Sequence, residues 1–177
     1  KLSGDFTVNI NEVIENLVHK KLLSRIERGK YCRINFRDEK VIGCFMVPDG
    51  AVGYWSALNH YGLTEQFPNT VFIQTTRSKM DKSVFGVAYQ FVKIKAGKKV
   101  GIQSLGYGNH QYRITDIEKT LVDCFDLPQY AGGYPELIRA FEQASPDQDK
   151  LIEYCGAIGN NSAVKRIAFL TDLLGKG

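Results

Sequence analysis

Proline is scarce in this sequence, 5 among 177 residues, and no apolar run exceeds a few residues, Val71-Phe72-Ile73 being typical. A membrane span needs roughly 20 consecutive apolar residues and a signal peptide about 7 to 15, so no segment here is expected to span or target a membrane. Metal-binding residues are equally thin. The four cysteines (Cys32, Cys44, Cys124, Cys155) form no C-x-x-C pair, and His19, His60 and His110 are the only histidines. That spacing argues against a zinc site and for buried thiols in a reducing, cytoplasmic setting. Motifs of covalent and metal-assisted hydrolysis, G-x-S-x-G and H-E-x-x-H, are missing, and no serine has a histidine in a recognisable frame. Gly106-x-Gly108 lacks the third glycine and the strand-to-helix context of a phosphate loop, so it reads as a hairpin turn. No cofactor is expected.

What is present describes a globular chain. Hydrophobic residues make up 44% and charged residues 24%, above the apolar content at which chains stay disordered. The length fits one ordinary domain or two small ones. The sequence opens on Lys1 rather than Met, as a stretch from within a longer gene product would. Its net charge of +4 is uneven: residues 1–40 hold 9 Lys or Arg against 6 Asp or Glu, and residues 41–177 hold 14 against 13. Lys20, Lys21, Arg25, Arg28, Lys30 and Arg33 face a lone Glu27 in the densest stretch. Such density is expected where phosphates are met, although a solvated charged face is the plain alternative.

The apolar spacing Ile10, Val13, Ile14, Leu17, Val18 predicts a helix over 9–21 with Asn9 as N-cap. Leu22 to Ile26 and Tyr31 to Phe36 read as strands joined through Glu27-Arg28-Gly29-Lys30. Pro48-Asp49-Gly50 predicts the opening of a helix over 51–61 that buries Val52, Trp55 and Leu58 and stops at Gly62. Strands are predicted at Thr70 to Thr76, Val87 to Lys95, Val100 to Leu105 and His110 to Ile114. A change of apolar parity between Phe91 and Val92 marks a bulge or burial on both faces. Capping boxes are predicted at Thr115-Asp116-Ile117-Glu118 and Ser145-Pro146-Asp147-Gln148. The helices that follow bury Ile117, Leu121, Val122 and Phe125, then run from Pro135 through Ala144 and from the second box to Gly159. The last covers about 161 to 174, with Val164, Ile167, Ala168, Thr171 and Leu174 inward. The fold class is therefore α+β: the C-terminal part of a winged helix-turn-helix over 1–40, then antiparallel strands and a C-terminal helical block over 41–177.

Cations at the end of a recognition helix and on the following hairpin are what a winged helix needs to meet a DNA backbone. Lys20, Lys21, Arg25, Arg28 and Lys30 stand in those places, and base reading falls to Asn11, Asn16 and His19, since Glu12 and Glu15 repel phosphate. Two other readings compete. A nuclease-related enzyme would use Asp116, Glu118 and Lys119, but Glu118 and Lys119 are adjacent and open a helix, and both acids fit capping and dipole roles. A protein-interaction domain would carry the winged helix in degenerate form. Trp55, Ser56, His60 and Tyr61 read as packing residues.

The stretch Leu17-Val18-His19-Lys20-Lys21-Leu22-Leu23-Ser24-Arg25-Ile26-Glu27-Arg28-Gly29-Lys30-Tyr31 resembles the end of the winged helix in AbiEi-type antitoxins. Four later motifs agree in order and spacing: residues 55–63 (Trp-Ser-Ala-Leu-Asn-His-Tyr-Gly-Leu), 116–124 (Asp-Ile-Glu-Lys-Thr-Leu-Val-Asp-Cys), 128–133 (Pro-Gln-Tyr-Ala-Gly-Gly) and 165–170 (Lys-Arg-Ile-Ala-Phe-Leu). The earlier winged-helix helices of that family have no counterpart in this stretch. The resemblance implies a non-enzymatic bacterial repressor that binds its own operator, with inverted repeats and self-association on DNA. It also implies a second domain that counteracts a nucleotidyltransferase-like toxin without a stable complex, in a type IV toxin–antitoxin, or abortive-infection, system.

Overall fold

The computed structural model describes residues 9–176; residues 1–8 of the segment assigned above to the winged helix lie outside the described residues. The chain divides into two compact units, one ending at Arg37 and the other beginning at Asp38. The first holds helix α1 (Ile10–His19) and a hairpin of β1 (Leu23–Glu27) and β2 (Lys30–Arg33). Asn9 stands at the N-cap of α1 but makes no side-chain capping bond. Arg28 and Gly29 form the two-residue turn between the paired Glu27 and Lys30, and the left-handed φ of +75° at Gly29 explains the glycine.

The second unit is built on a six-stranded sheet ordered β5-β6-β4-β3-β8-β7. Its strands are β3 (Ala51–Val52), β4 (Thr70–Thr75), β5 (Lys82–Val84), β6 (Val87–Lys93), β7 (Ile102–Leu105) and β8 (Tyr112–Thr115). Helices α2 (Glu39–Phe45) and α3 (Tyr54–His60) lie among the early strands, and α4 (Ile117–Asp126), α5 (Tyr134–Gln143), α6 (Gln148–Ile158) and α7 (Asn161–Leu173) follow them. The α+β class is thus observed, but the strands are not all antiparallel. The β4–β6 and β3–β8 pairs run parallel, each joining strands that are not consecutive in the chain, whereas the consecutive β3 and β4 pair antiparallel.

Sequence and structure part at several local points. Residues 51 and 52 are strand, not helix. The Asp49 carboxylate accepts the Thr75 hydroxyl (2.5 Å), the Thr76 amide (2.8 Å) and the Thr76 hydroxyl (2.6 Å). These bonds hold the carboxyl well below its ordinary range and stitch Pro48-Asp49-Gly50 to the end of β4. Ala51 and Val52 then fall into the sheet interior, and the helix starts only at Tyr54. No bulge interrupts β6, whose register with β4 is continuous from Thr70↔Ala88 to Thr75↔Lys93. Phe91 and Val92 are instead both buried, one on each face. Helix α2, unpredicted, is capped by Asp38 accepting from the Val41 amide, and its Gly43 lets Ile73 approach so closely that a Cβ there would lie 2.7 Å from that side chain.

Both predicted capping boxes shift onto an aspartate. Asp116 caps α4 by accepting from the Lys119 amide at 2.8 Å, and Asp147 caps α6 by accepting from Lys150 at 3.2 Å. Thr115 belongs to β8, where its hydroxyl meets Thr120 at 2.7 Å. Aspartate outranks threonine at an N-cap, so the helix start moves to it. In α7 the buried residues are Ala163, Ile167 and Leu170; Ala168 is exposed and Val164, Thr171 and Leu174 are half-buried.

Candidate nucleic-acid interface

The basic stretch occupies the end of α1 and the hairpin. Asn11, Asn16 and His19 are exposed along α1, with Glu12 and Glu15 beside them, and Lys20, Lys21, Arg25 and Arg28 are exposed beyond its end. In the hairpin register Leu23 faces Arg33 and Arg25 faces Tyr31. Directly paired residues share a face of a two-stranded ribbon, so Arg25 and Arg33 form one cationic face with Tyr31 between them. Arg33, visible in the sequence only as part of the charge run, therefore joins the candidate residues. Lys30 is drawn aside: its ammonium pairs with Glu27 at 2.8 Å across the mouth of the turn, leaving Arg28 as the cation at the tip.

Lys21 holds a conformation that lysine disfavours. Helix α1 closes with Lys21 N–H bonded to Val18 O and Leu22 N–H to Leu17 O, the two bonds of a Schellman motif, which require a left-handed residue at position 21. Its φ is +54°. The same bonds end α3 at Gly62 and α7 at Gly175, with φ of +69° and +61°. Two of these three ends carry the strain-free glycine, and the end inside the basic stretch carries a cation. Lys21→Gly is expected to stabilise α1 by about 1 kcal/mol, the usual left-handed penalty, while weakening binding to a DNA duplex severalfold. Amide hydrogen exchange in α1 and fluorescence anisotropy read the two effects, and tighter or unchanged DNA binding would remove Lys21 from the interface.

The residues of the nuclease alternative are engaged elsewhere. Lys119 is fully buried and bonds the Asp123 carboxylate four residues on. Asp116 also accepts the Tyr154 hydroxyl at 2.9 Å; burial first, and then this bond, push that phenol up to about 12. Glu118 accepts the Asp147 amide at 2.8 Å, tying α4 to the start of α6. Among the described residues no three His, Cys, Asp or Glu side chains are placed to hold a metal ion. Ser56 accepts from the Phe72 amide at 2.9 Å, and Tyr61 donates to Thr115 O at 2.7 Å, both tying α3 to the sheet. His60 lies against Lys40 at 3.2 Å, and burial and that cation lower its pKa.

One cationic region escaped the two-part charge count. Between Arg77 and Lys99 there are seven Lys or Arg against one acid, Asp81, while the rest of residues 38–177 hold eight against fourteen. The near-neutral sum hides this contrast, which a shorter counting window reveals. Because β4 and β6 are parallel, their C-terminal ends coincide and bring Arg77, Lys93 and Lys95, all exposed, to one end of the sheet. Lys98 is anchored to Asp126 at 2.6 Å and Lys99 to Asp49 at 3.5 Å.

No helix among the described residues is long and apolar enough to cross a membrane. No protein-family model and no curated protein matches this chain.

Proposed function

We propose that this chain is a DNA-binding autorepressor and antitoxin of a bacterial type IV toxin–antitoxin system, working without enzymatic activity in the cytoplasm. The observation that carries the reading is the set of exposed cations, Lys20, Lys21, Arg25, Arg28 and Arg33, gathered on a helix end and the hairpin that follows it. A helix and ribbon so charged match the positions at which winged-helix proteins meet backbone phosphates, with Asn11, Asn16 and His19 offered to base edges. The four cysteines are free thiols, as suits a reducing compartment. The second unit, which resembles the antitoxin portion of AbiEi-type proteins, counteracts a nucleotidyltransferase-like toxin without forming a stable complex. Its Arg77, Lys93 and Lys95 supply a further surface that favours polyanions.

Two assays separate the parts of this reading. A reporter driven by the promoter of the chain's own operon should be repressed by the wild type and released by Arg28→Ala combined with Arg25→Ala. Co-expression with the product of the adjacent toxin gene should restore growth for wild type and for that variant alike. Repression that survives the double variant would remove the hairpin from the interface, and absence of rescue by the wild type would remove the antitoxin assignment.

A further inference from the structure

Helix α7 carries an outward stripe that the fold does not use. Phe169 and Leu173 are each 64% exposed, large apolar side chains on a helix whose buried face is Ala163, Ile167 and Leu170. The helix forms a ridge between two apolar depressions. One, of about 570 Å³, lies toward α6 and includes Ile152, Gly156, Val164 and Ala168; the other, of about 300 Å³, lies toward α5 and includes Tyr134, Ile138 and Phe169. Ile152 is itself 71% exposed. Contiguous apolar surface of this kind marks an interaction site more often than an idle one.

The charges beside the stripe specify the occupant. With about 100° and 1.5 Å per residue, Phe169 sits at the centre of the outward face. Lys165 and Asp172 flank it on the α6 side, and Arg166 and Leu173 on the α5 side. Arg166 is held over the Tyr134 ring at 5.2 Å. Lys165 and Asp172 are exposed, and neither forms an ion pair among the described residues. We propose that α7 is a self-association surface on which two copies of this chain pair antiparallel about a twofold axis at Phe169. That operation lays the α6 side of one helix along the α6 side of the other. Asp172 then stands within one residue's rise of Lys165 of the second copy, twice by symmetry, and Leu173 lies on the Arg166 stem of the second copy. A parallel twofold would instead set Lys165 beside Arg166 of the second copy, a repulsive contact. The self-complementary order of cation, aromatic and anion along one helix is thus specific to an antiparallel copy of itself. The pairing stands independently of the DNA-binding reading.

Sedimentation equilibrium of the full chain over a concentration series tests this. The wild-type mass should rise from 19.9 kDa toward twice that value. Phe169→Asp should hold it at the monomer. Lys165→Glu and Asp172→Lys should each weaken association by about tenfold or more, the size of one charge-pair coupling, and Lys165→Glu/Asp172→Lys together should restore it. Circular dichroism melts of the four variants exclude unfolding as the cause. A wild type that stays monomeric throughout, a dimer indifferent to Phe169→Asp, or charge reversals that fail to rescue each other would overturn the assignment.

Discussion

Lys119→Met is expected to lower the stability of the second unit by about 3 to 5 kcal/mol, because it strands the Asp123 carboxylate in the core. Asp123 is 2% exposed and one of its oxygens, Oδ2, has no hydrogen-bond partner among the described residues even with Lys119 in place. Burial pushes its carboxyl up to about 6, and the Lys119 ammonium opposes that rise. Lys119→Met/Asp123→Leu should recover most of the loss, since a buried pair replaced by apolar groups of similar volume is often neutral or better. The pH dependence has a definite sign. An unfolded aspartate titrates near about 3.9, so between pH 4 and 6 the folded chain holds a proton that the unfolded chain releases, and stability falls as pH rises through that window. The fall over that window should be lost in the double variant, leaving the rise with pH that the lowered His60 pKa contributes. Asp49 acts in the opposite sense, since its carboxyl is lowered, and its contribution is lost only on acidification below the unfolded aspartate range. Urea denaturation at a series of pH values reads both. A Lys119→Met chain as stable as the wild type would show that the pair is not confined to the core as described.

Removal of the four cations Lys20, Lys21, Arg25 and Arg28 to alanine should weaken duplex binding and flatten its salt dependence: with four more phosphate contacts, the wild-type affinity should fall about two orders of magnitude further than the variant's between about 50 and 200 mM salt. These side chains are exposed and belong to the first unit, so thermal melting of the second unit should not move. Lys30→Ala alone should have a smaller effect than Arg28→Ala, since Glu27 already neutralises the Lys30 ammonium. Gel-shift titration compares the variants. Equal losses for Lys30 and Arg28 would show that the Glu27 pair opens on DNA.

Long-period features were legible in the sequence and short-range competition was not. The apolar spacing of α1, the Arg28-Gly29 turn and the terminal glycines Gly62 and Gly159 follow from periodicity and left-handed geometry, and all are found. The strand position of Val52 is not legible, because nothing local to Pro48-Asp49-Gly50 reveals that Asp49 bonds Thr75 and Thr76, some 26 residues away in sequence. Helix α2 is not legible either, because seven residues with Gly43 inside show too little of a 3.6-residue pattern. The capping boxes were displaced by one or two residues because a neighbouring aspartate competed with the threonine or serine. Of the candidate interface, the cation positions were visible as a charge run. The Lys30–Glu27 pair and the left-handed Lys21 needed the hairpin register and the helix end.

The salt dependence of operator binding tests the central claim most directly. Fluorescence anisotropy with a duplex from the chain's own promoter, across a series of salt concentrations, gives log Kobs against log salt. Contacts from Lys20, Lys21, Arg25, Arg28 and Arg33 predict a slope of about −4 to −5, falling by about 0.9 in magnitude with Arg28→Ala. A slope near zero, or one unchanged by Arg28→Ala, would contradict the assignment of this helix end and hairpin to a DNA backbone.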